Sequence, residues 1–354
     1  MGIRHNFLCF LVGAVLSLLP VMGEGAEPKH TPPKAESGVV TLKLADTFPV
    51  THLFNKITRE IFIKKLEESG KIKVLYYPAG QMGKAEDMVE LVRRGVVDIA
   101  YASPGFVAGQ MPLSTVTILP DLFNTAQEGT EVLWQLCHGV LKSEYESKGV
   151  IPIIASSTPS YEIFTLKKQV KVPNDLKGMK VRGGGGDADV TLTLLGTKVV
   201  SLVSAEIYEA FQRGVIDGVS ISFVSGFSYK VTELAKYATA GANLGSISTY
   251  HLMSLKSFKS LPQDLQKLIE DAGYAATMES GKRWEAQDKE VREYFVRKKG
   301  GVIYKLTPED KKAWVEGYKD AGDMWVKSLE SKGFPMARQV LNETERIAKQ
   351  VVKR

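Results

Sequence analysis

The chain has 354 residues, of which 44% are hydrophobic and 24% charged, and its formal net charge is +6. This length and composition predict a globular protein of about two domains, each large enough for a hydrophobic core. Basic residues alternate with acidic ones and form no stripe with interleaved aromatic residues, so the sequence predicts no nucleic-acid partner.

The first 23 residues have the pattern of a secretory signal peptide. A basic start with Arg4 precedes an apolar run at 7–19, and small residues follow at Gly23 and Ala26. The run is shorter than the about 20 residues that span a bilayer. We predict cleavage after Gly23, with Ala26 as the alternative, and export to the periplasm. Residues 24–38 contain no large apolar side chain and predict a flexible leader.

One cysteine remains after the signal peptide. Cys9 lies inside the apolar run, and Cys137 lies in the apolar helical segment VLWQLCHGVL. Because a single thiol cannot form an internal disulfide, we predict that Cys137 is a buried core residue.

The first half of the chain predicts alternating strands and helices. Residues 39–46 alternate apolar and polar side chains, and apolar residues recur at helical spacing from 54 to 66. A strand at 72–77, a helix at 85–94 and an apolar strand at 96–102 follow. This order predicts the start of a doubly wound α/β sheet in which the strand at 96–102 is central and parallel.

A second unit of the same kind follows a predicted helix at 131–149 and a strand at 150–155. Its predicted elements are strands at 161–166, 179–182, 198–201 and 215–221 and helices at 187–195 and 204–213. The segment ELVRRGVVDIAYAS at 90–103 matches EAFQRGVIDGVSIS at 209–222 in six of 14 positions. Both have the pattern of a helix, a glycine stop and a strand, so the sequence predicts two similar α/β lobes.

The last third of the chain is predicted to be helical. Pro262 opens a stretch to Gly300 that contains no further proline and predicts one long helix. At about 1.5 Å per residue such a helix is longer than one lobe. Another helix is predicted from Pro308, and a last amphipathic helix at 336–353.

No pattern of catalytic or metal-binding residues is present in the sequence. The histidines after the signal peptide lack metal-site spacing, and CxxC and GxSxG motifs are absent; these histidines are His30, His52, His138 and His251. The glycine run at 183–186 lies between a strand and a helix but lacks the nucleotide-binding fingerprints. We therefore predict a protein that is not an enzyme and holds no cofactor or metal, with a turn that helps to bind an anion.

Arg182 is the strongest candidate for contact with that anion. It ends the predicted strand at 179–182, directly before the glycine run, and ligands of open α/β sheets bind at the carboxyl ends of strands. A guanidinium group is a planar set of donors that matches a carboxylate. On these residues alone, an exposed or structurally paired arginine remains the alternative.

Five segments resemble, in their order, the extracytoplasmic solute-binding proteins of tripartite ATP-independent periplasmic (TRAP) transporters. They are YYPAGQMG (76–83), RRGVVDIA (93–100), ILPDLF (118–123), DLKGMKVR (175–182) and EIYEAFQRGVIDG (206–218). The resemblance implies a two-lobed α/β periplasmic binding protein, or Venus flytrap, with a long helix that spans both lobes. The implied limits are 39–159 and 248–287 for lobe I, 160–247 and 288–341 for lobe II, and 342–354 for the end of the C-terminal helix.

The resemblance also implies a function. A protein of this family captures a small organic acid ligand and delivers it to the membrane subunits of a TRAP transporter. Arg182 would pair with the ligand carboxylate, and the two lobes would close over the ligand. We expect a monomer. The alternative is a binding protein of the same fold that presents a carboxylate or amino acid to a sensor kinase.

Two positions depart from the pattern of the family. Glu162 stands where members carry an arginine or a polar side chain, and Ile221 where they carry an asparagine. Both changes favour a less polar ligand, first an aromatic or weakly polar monocarboxylate and second an amino-bearing acid. Glu162 is expected either to pair with Arg182 or to accept hydrogen bonds from the ligand. The other expected ligand contacts are the aromatic residues Phe48, Tyr101, Tyr161 and Phe223, each with core packing as the alternative, and the hydrogen-bonding residue Ser103.

Overall fold

The computed structural model describes residues 35–36, 38–107, 109–185, 188–202 and 206–353. The predicted signal peptide and most of the leader lie outside the described residues. The same holds for the predicted start of two helices, at Asp187 and Ser204. In the part of the chain that the structure describes, no helix is both long and apolar enough to cross a membrane.

The described residues form two β-sheets flanked by helices. The strands are β1 (Ala35–Glu36), β2 (Val39–Ala45), β3 (Ile72–Tyr77), β4 (Ile99–Ala102), β5 (Val150–Ser157), β6 (Glu162–Thr165), β7 (Lys180–Gly183), β8 (Lys198–Ser201), β9 (Gly218–Ile221), β10 (Tyr237–Ala240), β11 (Ser248–Ser254) and β12 (Val302–Lys305). The helices are α1 (Leu53–Ile57), α2 (Lys64–Glu68), α3 (Met88–Arg93), α4 (Pro104–Val107), α5 (Ala126–His138), α6 (Lys142–Ser147), α7 (Ala188–Leu194), α8 (Ile207–Gln212), α9 (Phe223–Ser228), α10 (Val231–Leu234), α11 (Leu255–Ser260), α12 (Gln263–Arg297), α13 (Pro308–Tyr318), α14 (Ala321–Ser331) and α15 (Ala337–Val352).

Two of the predicted helices are subdivided in the structure. The helix predicted at 54–66 consists of α1, a π-helical segment at Thr58–Ile63, and α2. The helix predicted at 131–149 is split into α5 and α6 at Gly139, where a Cβ atom would lie 2.9 Å from the backbone oxygen of Gln135. The apolar pattern continues across both irregularities, which is why the sequence predicted a single helix in each place.

The first sheet has the order β1-β2-β4-β11-β5, with β3 also paired to β2. Strands β2, β3 and β4 are parallel, which confirms the predicted β-α-β-α-β start. Strand β4 is central as predicted, but only its β2 side is parallel, because β11 pairs with it antiparallel. We call the unit built on this sheet the first lobe.

The second sheet has the order β12-β10-β6-β9-β7-β8 and forms the second lobe. Strand β7 lies between the parallel strands β8 and β9, so the carboxyl ends of these three strands reach the same edge of the sheet. Strand β6 pairs antiparallel with both β9 and β10. This edge is where the fold places Arg182, the third residue of β7.

The described part of the chain passes between the lobes at four places. It leaves the first sheet between β5 and β6, returns between β10 and β11, passes again within α12, a helix of 35 residues, and returns to the first lobe between α13 and α14. The first half of α12 contributes Leu265 and Ile269 to the first-lobe core, and its second half contributes Val291 and Phe295 to the second-lobe core. The predicted lobe-spanning helix is therefore confirmed.

The C-terminal helices divide between the two cores. Helix α13 buries Trp314 and Tyr318 in the second lobe. Helices α14 and α15 instead bury Trp325, Val340 and other side chains against the first-lobe core, which also contains the fully buried thiol of Cys137. The lobe limits given above remain a prediction, and this packing favours a second lobe that ends near α13.

Candidate ligand-binding cleft

Arg182 lies at the carboxyl end of β7 with only 4% of its surface exposed. Its Nε and Nη2 atoms both donate to the backbone oxygen of Leu202, at 3.1 and 3.0 Å. The Tyr161 hydroxyl lies close enough to the guanidinium for its charge to act on the pKa of Tyr161. Among the described residues, no carboxylate oxygen lies within 4.0 Å of Arg182. The described part of the chain therefore buries an oriented cation without a paired acid, and such a group is costly unless an anion joins it.

Tyr161, which lies beside the Arg182 guanidinium, adjoins tyrosines of both lobes. Burial raises the pKa of Tyr161 to about 12, and it also raises the pKa of Tyr101, in β4 of the first lobe. Tyr229, which follows α9 in the second lobe, is close enough to act electrostatically on both. Ser103 lies close enough to Tyr101 to act on its pKa. With their raised pKa, Tyr161 and Tyr101 stay neutral at physiological pH and offer hydrogen-bond donors and flat aromatic surface.

Phe48 forms the aromatic wall of the first lobe. Its ring stacks on His52 with centroids 3.8 Å apart and meets Tyr101 edge-on at 4.7 Å. Burial lowers the pKa of His52 to about 4, so this ring is neutral. The backbone N–H of Phe48 donates to Oδ1 of Asp46 at 2.8 Å, which fixes the loop that carries the wall.

A cavity of about 440 Å³ lies between the lobes beside this wall. Such a volume is within the range of small-molecule sites, roughly 300–1,000 Å³. Phe48 and Tyr229 line the cavity and also adjoin Tyr101, whereas Arg182 is not among its lining residues. The other lining residues are Pro49, Thr51, His52 and Leu53 of the first lobe, Val224, Ser225 and Ser228 of the second, and Trp284 and Gln287 of α12.

Asp46 is the buried base of the first-lobe wall. It follows β2 directly and is fully buried. Its Oδ2 atom accepts a hydrogen bond from the Tyr76 hydroxyl at 3.2 Å and lies 3.4 Å from Nε2 of His251. The ring of His251 stacks on Phe54. These contacts hold the end of β2 against β3 and β11 and keep Asp46 behind the wall rather than on its surface.

Glu162 does not pair with Arg182 in the structure, which excludes one of its two expected roles. Its carboxylate oxygens accept the backbone N–H groups of Gly241 and Ala242 at 2.9 and 3.0 Å, and Oε1 lies 3.8 Å from Nη2 of Arg292 in α12. Burial raises the pKa of Glu162 to about 7 despite these contacts. The carboxylate oxygens of Glu162 therefore contact other parts of the protein, at residues 241–242 and at α12.

Ile221 and Phe223 belong to the second-lobe core. Phe223 is fully buried against Phe164 and Phe295, and the guanidinium carbon of Arg292 lies 4.1 Å above its ring. Ile221 is packed in the same cluster. For these two positions the structure shows the core-packing alternative, because α12 and α9 cover that part of the sheet. Of the other residues expected at the site, Tyr161 lies beside Arg182, Tyr101 adjoins Tyr161 and Ser103, and Phe48 adjoins Tyr101.

Sequence reasoning missed Tyr229, Asp46, His52 and the backbone oxygen of Leu202. Asp46 could have been singled out from the sequence, because an acidic residue at the end of a buried strand is unusual. Tyr229 carries no local signal, since it reaches Tyr101 only when the two lobes meet. Among the described residues, no group of three or more His, Cys, Asp or Glu side chains is arranged to hold a metal.

Two α/β lobes joined at a hinge, with a long helix spanning both and a cavity between them, define the class of periplasmic binding proteins. The model of the family described as bacterial extracellular solute-binding protein, family 7 (DctP), matches residues 45–328, and the chain belongs to this family. The predicted membership among TRAP solute-binding proteins is thus confirmed. These are extracytoplasmic transport proteins and not enzymes.

Three known proteins illustrate the similarity. A TRAP solute-binding protein of Rhodoferax ferrireducens, solved with copurified benzoate, is 25% identical, with 89% of this chain and 99% of that chain covered and a TM-score of 0.77. A marine metagenome protein specific for aromatic acids, solved with 3-hydroxybenzoate, is 26% identical with the same coverage and a TM-score of 0.78. The C4-dicarboxylate-binding protein DctP of Rhodobacter capsulatus is 25% identical over 256 residues, which are 70% of this chain and 74% of that protein.

Proposed function

We propose that this protein is a monomeric periplasmic receptor that binds a small aromatic monocarboxylate through Arg182 and presents it to the membrane subunits of a TRAP transporter. The observation that carries the proposal is the guanidinium of Arg182, which is 4% exposed and has no carboxylate within 4.0 Å among the described residues. The two similar proteins with benzoate and 3-hydroxybenzoate support the ligand class.

The hydrogen bonds of Arg182 determine how a carboxylate would approach. Nε and one hydrogen of Nη2 are used by Leu202, so the side of the guanidinium that carries Nε is closed to the ligand. The free donors point along the Nη1–Nη2 edge. We therefore expect the carboxylate to be bound end-on by the two terminal nitrogens, with the Tyr161 hydroxyl beside one oxygen.

The rest of the ligand would meet aromatic surface. Tyr161 lies beside the guanidinium and adjoins Tyr229 of the second lobe and Tyr101 of the first, and Phe48 meets Tyr101 edge-on. Rings prefer offset or edge-on contact with one another, worth about 0.5–1.5 kcal/mol per pair beyond area burial. A flat aromatic body uses this surface better than a sugar acid, whose hydroxyls would need a partner for each buried oxygen.

The amino-bearing acid is the weaker ligand class on this geometry. It depended on Glu162 as the acceptor for an ammonium group, and both oxygens of Glu162 already accept backbone hydrogen bonds at the hinge. A ligand that displaced them would leave the N–H groups of Gly241 and Ala242 without partners.

The test is calorimetric titration of refolded, ligand-stripped protein with matched compounds. Benzoate and 3-hydroxybenzoate should bind, whereas benzamide, which has the same ring without the charge, should bind at least a hundredfold more weakly. Cyclohexanecarboxylate, with the charge but no aromatic ring, should fall between them. Binding restricted to sugar acids or to neutral compounds would overturn the proposal.

A further inference from the structure

The segment that joins β10 to β11 is one of the chain crossings between the lobes, and its backbone is held by side chains. Gly241 and Ala242 donate their N–H groups to Glu162. The backbone oxygen of Gly241 accepts from Nζ of Lys311 at 3.1 Å, and that of Ala242 accepts from the Tyr318 hydroxyl at 3.2 Å. Residues of the second lobe thus replace the strand ladder that this irregular segment lacks.

The first lobe holds the same segment from its other end. The backbone oxygen of Asn243 accepts the N–H of Asp121 at 3.0 Å, and its side-chain amide donates to Oδ1 of Asn124 at 3.2 Å. Asp121 and Asn243 both have left-handed backbones, with φ of 59° and 49°. Asn and Asp tolerate this conformation better than other residues with a side chain, so the tight crossing is built into the residue types.

Lys311 connects the two sets of contacts. It lies in α13 of the second lobe, and its Nζ atom is 2.5 Å from Oδ1 of Asp121 in the first lobe. Both residues line a crevice of about 840 Å³ whose walls are residues 119–124 and helices α13, α14 and α15. A rotation of one lobe relative to the other at this crossing would change the separation of Lys311 and Asp121 across the crevice.

The ion pair is present in a conformation in which the walls of the cleft meet. Tyr101 of the first lobe is 3% exposed and adjoins Tyr229 and Tyr161 of the second. Arg182 is buried in the same arrangement. The tie between Lys311 and Asp121 is thus present while Tyr101 of the first lobe adjoins Tyr161 and Tyr229 of the second.

We propose that Lys311 is a positioning residue for ligand capture. It ties the two lobes together at the hinge and so favours the closed cleft. It acts through Asp121 and the crossing segment rather than through the ligand. This inference goes beyond the proposed ligand class, and its first test needs no ligand.

The test compares Lys311→Met with Lys319→Met. Lys319 lines the same crevice but pairs with Glu316, one turn away on the same lobe, so its loss breaks no link between lobes. Spin labels on cysteines introduced at the exposed positions Gln81 and Lys198 report the distance between the lobes by pulsed electron resonance. We expect a distribution shifted to longer distances in Lys311→Met and an unchanged one in Lys319→Met. Benzoate should dissociate roughly three- to tenfold faster from Lys311→Met, as expected for a partly exposed ion pair.

A second variant keeps the inference testable if Lys311→Met does not fold. Asp121→Asn preserves a residue type that accepts the left-handed backbone and removes only the charge. It should produce the same shift, and the double variant should add little, because both changes break one contact. A distribution in Lys311→Met equal to that of Lys319→Met, or one shifted to shorter distances, would overturn the inference. Failure of every aromatic acid to bind would instead refute the proposed function and leave the distance result standing.

Discussion

Replacement of Arg182 by methionine separates a binding role from a structural one. The substitution removes the charge and the donors but keeps a long unbranched side chain of similar reach. In the wild type the ligand carboxylate would be buried against a guanidinium that is 4% exposed. Loss of one partner of a buried, hydrogen-bonded charge pair costs about 2–5 kcal/mol, which corresponds to roughly 30- to 5,000-fold weaker binding.

The same substitution should not destabilise the ligand-free protein. Arg182 has no carboxylate partner among the described residues, so the cost of burying its charge is not offset within the fold. Methionine removes that cost, although it also removes the two hydrogen bonds to Leu202. We expect the two effects to leave the ligand-free Tm within about 2 °C of the wild type.

The assay is calorimetric titration with benzoate, combined with thermal unfolding of the ligand-free proteins. Arg182→Lys serves as the intermediate variant, because an ammonium keeps the charge but cannot bind a carboxylate with two parallel donors. Arg213→Met serves as the matched control, since Arg213 is exposed in the same lobe. Benzoate affinity within threefold of the wild type would refute the anchor role. A Tm lowered by more than about 5 °C would show that Arg182 is needed for the fold itself.

Three further predictions follow from the geometry. Asp46→Ala should weaken benzoate binding about tenfold, because it leaves the buried N–H of Phe48 without its acceptor, whereas Asp46→Asn keeps that acceptor and most of the affinity. Burial raises the pKa of Glu162 from 4.5 to about 7, so the folded protein binds more protons than the unfolded chain between these values. The free energy of unfolding should therefore fall as pH rises through this window, and Glu162→Gln should flatten the fall. Gly273→Ala should destabilise the protein by about 2–3 kcal/mol, because a Cβ atom there would lie 1.9 Å from the backbone oxygen of Ile153.

Each of these three has its own control. For Asp46, equal loss of affinity in the Ala and Asn variants would show that the charge matters and not the turn acceptor. For Glu162, the charged groups that act on it are Arg292 and Asp288, so an unchanged pH slope in Glu162→Gln would assign the titration elsewhere. For Gly273, the comparison is Asp271→Ala on the exposed side of α12, which should stay within about 0.5 kcal/mol of the wild type.

The fold was largely predictable because its signals are local and repeated. The β-α-β-α-β start, the second unit with its matching helix-glycine-strand segment and the long helix after Pro262 all correspond to elements of the structure. The sequence did not show that the chain returns from the second lobe to the first sheet. Strand β11 completes the first sheet antiparallel to β4 and β5, and nothing in residues 248–254 identifies the lobe to which they pair.

The expected site residues come from strand ends and from the family pattern, whereas contacts made where lobes or helices meet have no local signal. Arg182 and Tyr101 were expected from their place at strand ends, and each of them adjoins Tyr161. Phe223 was expected beside a strand end and Glu162 from its position in the family pattern, but Phe223 packs against Phe295 of α12, and Arg292 of the same helix lies near Glu162. The arginine beside Glu162 is Arg292, which lies 130 residues later in the sequence, on α12. No local sequence pattern shows which face of α12 packs against the strand that carries Glu162.

Glu162 stands where members of the family carry an arginine or a polar residue, and this difference affects which ligands can bind. An arginine there would add a second cation near Arg182 and favour ligands with two acidic groups or many hydroxyls. Glu162 instead lies 3.8 Å from Nη2 of Arg292 of α12, a cation whose Nε donates to Asp288 on the same helix. The cleft keeps one buried guanidinium, and a single carboxylate is enough to neutralise it. A dianionic ligand would bury an extra charge without a partner, and the cost of several kcal/mol for such a charge is the physical reason to expect that benzoate outcompetes a dicarboxylate of equal size.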